Sequence, residues 1–292
     1  MNTLTLKLIK GFCFLLILSV TVISCSLNNA FLKPDYHFYD KIDKLKRVNP
    51  SFAVNTMLDS NKSPVFVNDN KDTLKLDYKV IPRWFLSTSG NRLHSWEMIP
   101  KESYNGITLV MFHGNSGNVM DNHYAAIPLV KNGFKVLIFD YSGYGLSQGK
   151  PTRANVKKDG LAAVDYVIKN KDSLTKKIFI YGLSLGGHLT PVIGVERESE
   201  IDGLIIEGAF SSHRDISHHF SGIAGRVFVA EKYNGKKSLK KFHKPVLIIH
   251  STEDATIPYE MGKTLYEYAN EPKKLLTIDQ CHICGLFFYS DL

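Results

Sequence analysis

The sequence predicts an α/β protein, a mostly parallel sheet covered by helices on both faces. Short apolar runs rich in Val, Ile and Leu recur at residues 107–112, 134–139, 177–181, 203–206, 245–249 and 274–278. Stretches of helical composition separate these runs, the longest at residues 153–169. Strands that alternate with helices in this way form buried parallel sheets. A length of 292 residues and a hydrophobic content of 44% suit one domain with a substantial core.

The N-terminus combines a short basic region with an apolar core. Lys7 and Lys10 flank the start of an apolar run at residues 11–23, which has signal-peptide length and is short for a membrane span. Ser24 and Cys25 follow. The order aliphatic, aliphatic, small, cysteine resembles a bacterial lipobox, which implies a lipoprotein signal peptide at residues 1–24 and lipidation at Cys25. An uncleaved signal anchor and an ordinary secretory signal are the alternatives.

Residues 25–78 show little periodicity and contain several polar runs. We therefore interpret them as a tether followed by a weakly structured N-terminal extension. A turn signal at residues 89–91 lies between two strand-like stretches and indicates an antiparallel pair near the start of the main domain, assigned to 79–292. Within that domain, residues 211–244 are the one candidate for a small cap.

The pattern Gly-Leu-Ser-Leu-Gly at residues 182–186 is the most informative motif. It follows the apolar run 177–181 and precedes residues 187–192, which can open a helix. Strand, G-x-S-x-G and helix together describe a nucleophile elbow around Ser184. The strained turn holds the serine oxygen above the sheet and beside a helix N-terminus, where negative charge is stabilised. Because G-x-S-x-G also occurs by chance, the motif needs partner residues.

A nucleophilic serine requires a base and a carboxylate that orients the base. Glu253 and Asp254 follow the apolar run 245–249, and His282 follows the next apolar run. Both positions lie past the carboxyl ends of strands, where open α/β sheets bind ligands. Glu207, at the end of the preceding apolar run, is a third candidate acid. We rank Asp254 first.

A glycine-rich turn at residues 113–117, His-Gly-Asn-Ser-Gly, follows the first of the apolar runs. Such a turn is where one half of an oxyanion hole forms. The two predicted donors are the backbone N–H groups of Asn115 and of Leu185, the residue directly after the nucleophile.

These blocks together resemble the α/β-hydrolase family. The turn at 113–117, the run Phe-Asp-Tyr-Ser-Gly-Tyr-Gly-Leu-Ser-Gln-Gly at 139–149, the elbow, and the strand and loop at 246–254 occur in the family's order. The similarity extends from about residue 81 to the C-terminus. It is greatest to the small-cap branch that includes eukaryotic depalmitoylating thioesterases and many bacterial lipoproteins. It implies an α/β-hydrolase fold with an eight-stranded sheet and a small cap.

The resemblance implies a catalytic triad of Ser184, Asp254 and His282. It further implies a serine hydrolase that cleaves small acyl esters or thioesters, palmitate among them, through an acyl-enzyme and without a cofactor. Apolar cap residues are candidates to line the acyl site: Phe220, Ile223, Val227, Phe228 and Tyr233. A serine peptidase, an acyltransferase and a non-catalytic binding protein of the same fold are the alternatives. One departure is Cys281, which stands where family members usually have glycine.

A cysteine pair and a histidine cluster are further candidates for functional sites. Cys281 and Cys284 form a C-x-x-C around His282, which can be a redox pair, a local disulfide or two small packing residues. We favour the structural interpretations. His213, His218 and His219 cluster in sequence, but no carboxylate or cysteine at zinc spacing joins them, so the sequence predicts no metal.

Charge indicates the partners and the location. The net charge is +8, or +6 without residues 1–24, which suits an anionic membrane surface. No basic stripe with interleaved aromatic residues occurs, so nucleic-acid binding is not predicted. With Ser26 after Cys25, the lipobox resemblance implies a lipid-anchored protein of the bacterial cell envelope, at the outer membrane or facing the periplasm. The oligomeric state is not predicted.

Overall fold

The computed structural model describes residues 31–34, 55–68, 70 and 72–288 of the protein. Its strands, in chain order, are β1 (Lys33–Pro34), β2 (Asn55–Leu58), β3 (Pro64–Val67), β4 (Tyr78–Leu86), β5 (Arg92–Pro100), β6 (Ile107–Phe112), β7 (Ser116–Gly117), β8 (Lys135–Phe139), β9 (Lys177–Leu183), β10 (Gly203–Glu207), β11 (Val246–Ser251) and β12 (Lys273–Ile278).

The helices of the described residues are α1 (Val119–Asn122), α2 (Ile127–Lys131), α3 (Arg153–Asn170), α4 (Leu185–Glu196), α5 (His213–Phe228), α6 (Gly235–Leu239), α7 (Tyr259–Tyr268) and α8 (Gly285–Phe288), with a 3₁₀ turn at His123–Ala126. Side chains cap the two longest helices. Thr152 accepts the N–H of Asn155 at the start of α3, and Ser212 accepts the N–H of Asp215 at the start of α5. Among the described residues, no helix is both long and apolar enough to cross a membrane.

Eight strands form one sheet in the order β12-β11-β10-β9-β6-β8-β5-β4. The six strands from β12 to β8 are parallel, and β5 is antiparallel to both of its neighbours. The predicted fold class and the eight-stranded sheet are confirmed. The predicted hairpin around residues 89–91 is the β4–β5 pair.

The two faces of the sheet carry separate buried clusters. Val110 and Phe112 belong to one cluster, and Leu109 and Met111 belong to the other, because successive side chains of a strand point to opposite faces. Helices α3 and α4 cover the first face, and α1 and α2 cover the second. This double coverage explains why the central strands are nearly continuous apolar runs.

The N-terminal extension has more regular structure than its sequence predicts. Strand β1 pairs in parallel with β7, and β2 and β3 form an antiparallel hairpin. Phe66 of the hairpin packs against Trp96 of the main sheet at a ring-centroid distance of 6.2 Å. These elements were missed because each is short and is stabilised by the main domain, so its own periodicity is weak. The predicted signal peptide at 1–24 and Cys25 lie outside the described residues.

Candidate active site

The elbow lies between β9 and α4, with Ser184 as the residue before the helix. Its φ of 55° and ψ of −112° are a strained backbone conformation for a residue with a side chain. The two flanking glycines allow this turn. A Cβ at Gly182 would overlap the side chain of Thr190, and one at Gly186 would overlap the carbonyl of Phe112. The turn therefore depends on both glycines and presents Ser184 at the carboxyl edge of the sheet.

Asp254 and His282 form a hydrogen-bonded pair at the same edge. His282 Nδ1 lies 2.6 Å from Asp254 Oδ2, and Asp254 Oδ1 accepts the N–H groups of Thr256 and Ile257 at 2.8 Å each. Burial acts to raise the pKa of Asp254, but the hydrogen bond and charge of His282 and the two N–H groups outweigh it and lower that pKa. An ionised Asp254 fixes the proton on Nδ1 of His282 and leaves Nε2 to accept a proton.

The other two candidate acids occupy different environments. Glu253 is exposed to solvent. Glu207 is buried, accepts a hydrogen bond from the Tyr181 hydroxyl, and accepts the Gly285 N–H at 2.8 Å. Burial raises the pKa of Glu207, although these hydrogen bonds oppose the effect. Glu207 thus fastens the start of α8, three residues after His282, to the end of β10.

The segment that carries His282 is held from several sides. Cys281 and Cys284 form a disulfide that encloses His282 and Ile283, one of the two structural interpretations left open by the sequence. Ile283 has a φ of 51°, which is unfavourable for a β-branched residue. Gly208, with a φ of 56°, faces the His282 ring so closely that a Cβ there would lie 3.2 Å from two ring atoms. The position of His282 therefore depends on contacts from residues distant in the sequence.

The two predicted oxyanion donors belong to different elements that line the same cavity as Ser184. Leu185 is the first residue of α4, so helix geometry gives its N–H no carbonyl partner within the helix. Asn115 is held in its turn through its carbonyl, which accepts the Tyr144 hydroxyl at 2.9 Å and the Lys33 N–H at 3.0 Å. His113, at the start of this turn, is fully buried and contacts the Gly114 carbonyl through Nδ1 at 2.8 Å, which fits a bracing role.

One cavity of about 640 Å³ brings Ser184, His282, Asn115 and Leu185 together. Its remaining lining is mostly apolar or uncharged, and it includes residues of the N-terminal extension and the cap: Phe31, Lys33, Gly114, Ser116, Asn122, Phe210, Ile216, Ser217, Phe220, Ser221, Thr256, Ile257 and Ile283. Among the described residues, no carboxylate lines the cavity, and Lys33 is its one lysine or arginine.

The prediction that five residues of the cap line the acyl site is largely wrong. Of the five, Phe220 lines the cavity. Tyr233 is 9% exposed within the core, Ile223 and Val227 face solvent, and the half-buried Phe228 does not belong to the cavity lining. The lining instead includes Phe31, which no sequence pattern singled out. The sequence signal for Phe31 is weak, because Phe31 is an aromatic residue two positions before a short strand, in a stretch without periodicity.

A group of potential metal ligands joins α4 to the segment 211–244, and we call it the two-histidine cluster. His188, His213 and Glu231 each offer a ligand atom, and these atoms lie within 4.8 Å of one another. His188 Nδ1 contacts the Phe210 carbonyl at 2.9 Å, and His213 Nδ1 lies 3.3 Å from Glu231 Oε1. Glu231 is the carboxylate that the sequence spacing did not associate with His213. Burial lowers the pKa of both histidines, which favours neutral rings.

Comparison with known proteins places the chain among hydrolases. A family model described as serine aminopeptidase, S33, matches residues 107–238. "Uncharacterized protein YfhR" of Escherichia coli K12 is 32% identical over 201 residues, which cover 66% of this chain and 70% of that protein. "Alpha/beta hydrolase domain-containing protein WAV2" of Arabidopsis thaliana is 28% identical over 67% of this chain and 68% of its own length.

Solved structures show the same fold. An esterase of Pyrococcus furiosus matches with a TM-score of 0.62 and 19% identity, over 73% of this chain and 87% of that chain. Est1E of Butyrivibrio proteoclasticus with bound ferulic acid matches with a TM-score of 0.61 and 21% identity, over 72% of this chain and 95% of that chain.

Proposed function

The chain belongs to the α/β-hydrolase family, and on this premise we propose that it is a serine hydrolase that cleaves ester or thioester bonds. The nucleophile is Ser184, the base is His282, and the carboxylate that orients the base is Asp254. The observation that carries the proposal is one cavity that contains the elbow serine and a histidine whose Nδ1 is bound to a buried carboxylate.

The mechanism follows from these positions. His282 Nε2 takes the proton of Ser184 as Oγ attacks the acyl carbon, and the N–H groups of Asn115 and Leu185 stabilise the oxyanion. His282 then gives this proton to the leaving alkoxide or thiolate, which departs and leaves an acyl-enzyme. Water, deprotonated by His282, attacks the acyl-enzyme. The C–O bond to Ser184 then breaks, His282 returns the proton to Ser184 Oγ, and the carboxylic acid is released. Asp254 stabilises the imidazolium in both halves of the reaction.

The lining of the cavity favours an acyl ester over an N-terminal peptide. An aminopeptidase must bind the substrate's α-ammonium group, and a carboxylate is the usual partner for a desolvated ammonium. The described lining offers the opposite sign, Lys33, together with apolar side chains such as Phe31, Phe210 and Ile216. The structural neighbours named as esterases support the same choice. An aminopeptidase, after the description of the family model, is the second candidate.

Lipid anchoring belongs to the same proposal. The lipobox-like sequence before Cys25 supports a mature protein tethered by acyl chains at the bacterial cell envelope. Incorporation of labelled palmitate into the wild type and its loss in Cys25→Ala tests this part. Incorporation that is equal in the two proteins would overturn it.

Hydrolysis assays test the activity itself. The substrates are p-nitrophenyl esters of increasing chain length, the matching acyl thioesters, and aminoacyl p-nitroanilides. We expect turnover of the first two classes, a fall of roughly 10⁶-fold in kcat for Ser184→Ala, and little change for Ser221→Ala, a serine of the same cavity that lies outside the elbow. Preferential cleavage of the anilides would favour the aminopeptidase. Equal activity of Ser184→Ala and the wild type would refute the mechanism.

A further inference from the structure

Apolar side chains are exposed in a cluster on one helix of the cap. Among the described residues, five large hydrophobic side chains are strongly exposed, and three of them belong to α5: Phe220, Ile223 and Val227, at 65%, 76% and 62%. Phe220 lies directly before, and Ile223 and Val227 lie after, a kink where Ser221 and Gly222 leave the helical conformation. Ile223 and Val227, four residues apart, project from one side of the segment after the kink. We call these three residues the α5 patch. An apolar cluster of this kind on a protein surface indicates an interaction site.

The α5 patch continues into the mouth of the active-site cavity. Phe220 lines the cavity together with Ser184 and His282, and its neighbour Ser221 does so as well. A partner that covers the α5 patch therefore meets the opening through which a substrate reaches the serine.

The charges around the α5 patch are mostly positive. Arg214 and Arg226 are exposed on the same helix, and Lys232 is exposed just after it. The one acid within α5, Asp215, is paired with Lys236 Nζ at 2.5 Å. Glu231 contacts His213. Exposed apolar side chains with cations on the same helix are a pattern that binds the interface of an anionic bilayer.

The route of the N-terminal chain points to the same partner. Phe31 lines the cavity and packs its ring edge-on against His213 of α5 at a centroid distance of 4.7 Å. Cys25 precedes Phe31 by six residues, and six extended residues span about 20 Å. The apolar run 11–23 ends eight residues before Phe31 in the sequence. Either kind of proposed membrane attachment, acyl chains on Cys25 or the apolar run itself, would limit the distance between the cavity and the lipid surface.

We propose that the α5 patch docks on the surface of an anionic phospholipid bilayer, so that the cavity receives its acyl substrate from the membrane. Phe220, Ile223 and Val227 insert among the acyl chains, while Arg214 and Arg226 meet the headgroups. The delivery of substrate from the membrane rests on the proposed hydrolase function, whereas the docking of the α5 patch does not.

Fluorescence quenching tests the docking. The full chain is reconstituted in phosphatidylcholine–phosphatidylglycerol vesicles whose acyl chains carry bromine, which quenches tryptophan within the bilayer. We expect quenching of the added fluorescence in Ile223→Trp and none in Leu86→Trp, a matched variant at a residue that is 71% exposed on β4. The unmodified protein gives the background from its two native tryptophans. Equal quenching of the two variants, or none in Ile223→Trp, would overturn the proposal.

A second assay tests the supply of substrate. Ile223→Ser/Val227→Ser changes the α5 patch at positions that do not line the cavity, and Leu86→Ser/Leu174→Ser removes two exposed hydrophobic side chains elsewhere. The measured quantity is the ratio of kcat/KM for an ester embedded in vesicles to kcat/KM for a water-soluble ester. We expect this ratio to fall by at least about tenfold in the first variant and to stay constant in the second.

The outcomes separate the two proposals. If neither ester is cleaved while Ile223→Trp is quenched, the hydrolase function fails and the docking stands. If both esters are cleaved and Ile223→Ser/Val227→Ser leaves their ratio unchanged, the docking fails and the hydrolase function stands. Sedimentation that shows a dimer in the wild type and a monomer in Ile223→Ser/Val227→Ser, without quenching, would assign the α5 patch to a second copy and overturn the proposal.

Discussion

Replacement of Asp254 by asparagine tests how the base is oriented. Asp254 uses both carboxylate oxygens: Oδ1 accepts two backbone N–H groups at 2.8 Å, and Oδ2 accepts His282 Nδ1 at 2.6 Å. Asparagine has one oxygen, and the two backbone donors hold it in the place of Oδ1. The amide NH₂ then faces His282 and donates to Nδ1, which forces the proton of the neutral ring onto Nε2. In this tautomer His282 cannot accept the proton of Ser184.

The expected loss is large and specific. An inverted tautomer lowers kcat by roughly 10⁴-fold, which corresponds to about 5.5 kcal/mol of transition-state stabilisation. The assay is the pH dependence of kcat on a p-nitrophenyl ester, with Glu253→Gln as the matched control at the exposed neighbouring acid. The control retains wild-type activity. A loss below about tenfold in Asp254→Asn, or a comparable loss in Glu253→Gln, would refute the assignment of the acid.

Four further predictions concern Asp254, the surroundings of His282 and the two-histidine cluster. The pKa of Asp254 is lowered in the folded protein, so the ionised carboxylate stabilises the protein at pH values above 3.8, its ordinary pKa. This contribution is lost as the pH falls through the folded pKa. In urea unfolding, the difference in the free energy of unfolding between the wild type and Asp254→Asn should therefore shrink towards about pH 3. Gly208→Ala places a Cβ 3.2 Å from the His282 ring at a positive φ, so we expect lower kcat and a loss of about 1–2 kcal/mol of stability, which unchanged kinetics and melting would contradict. Cys281→Ser/Cys284→Ser opens the disulfide-closed loop that contains His282 and should lower kcat/KM. If dithiothreitol leaves the wild-type activity unchanged and the double variant is as active as the wild type, the disulfide does not position His282. Dialysis against EDTA should leave ester hydrolysis unchanged, since no step uses the two-histidine cluster, and activity restored only by added zinc would contradict this.

The sheet and the elbow could be predicted because their signals are local. Each central strand is a continuous apolar run, and the elbow requires glycines at fixed offsets from Ser184. The order of nucleophile, acid and base also lies in the sequence. The structure adds the 2.6 Å contact between Asp254 and His282, which selects Asp254 from the two neighbouring acids.

Other parts of the site depend on contacts that no local pattern records. Phe31 reaches the cavity because β1 pairs with β7, and the 80 or so residues between these strands hide the relationship in the sequence. Ile223 and Val227 are exposed on the segment that follows the kink at Gly222, and no local sequence pattern marks either the kink or the exposure. Glu207 was considered as an acid, but its role in fastening the chain after His282 requires the Gly285 contact.

In the proposed mechanism Ser184 is a nucleophile activated by His282. A fluorophosphonate probe reacts with such a serine, and peptide mass spectrometry locates the adduct. We predict a single adduct on the peptide that contains Ser184, its absence in Ser184→Ala, much slower labelling in His282→Ala, and normal labelling in Ser221→Ala. A well-folded wild type that forms no adduct, or one that carries the adduct on another residue, would contradict the account.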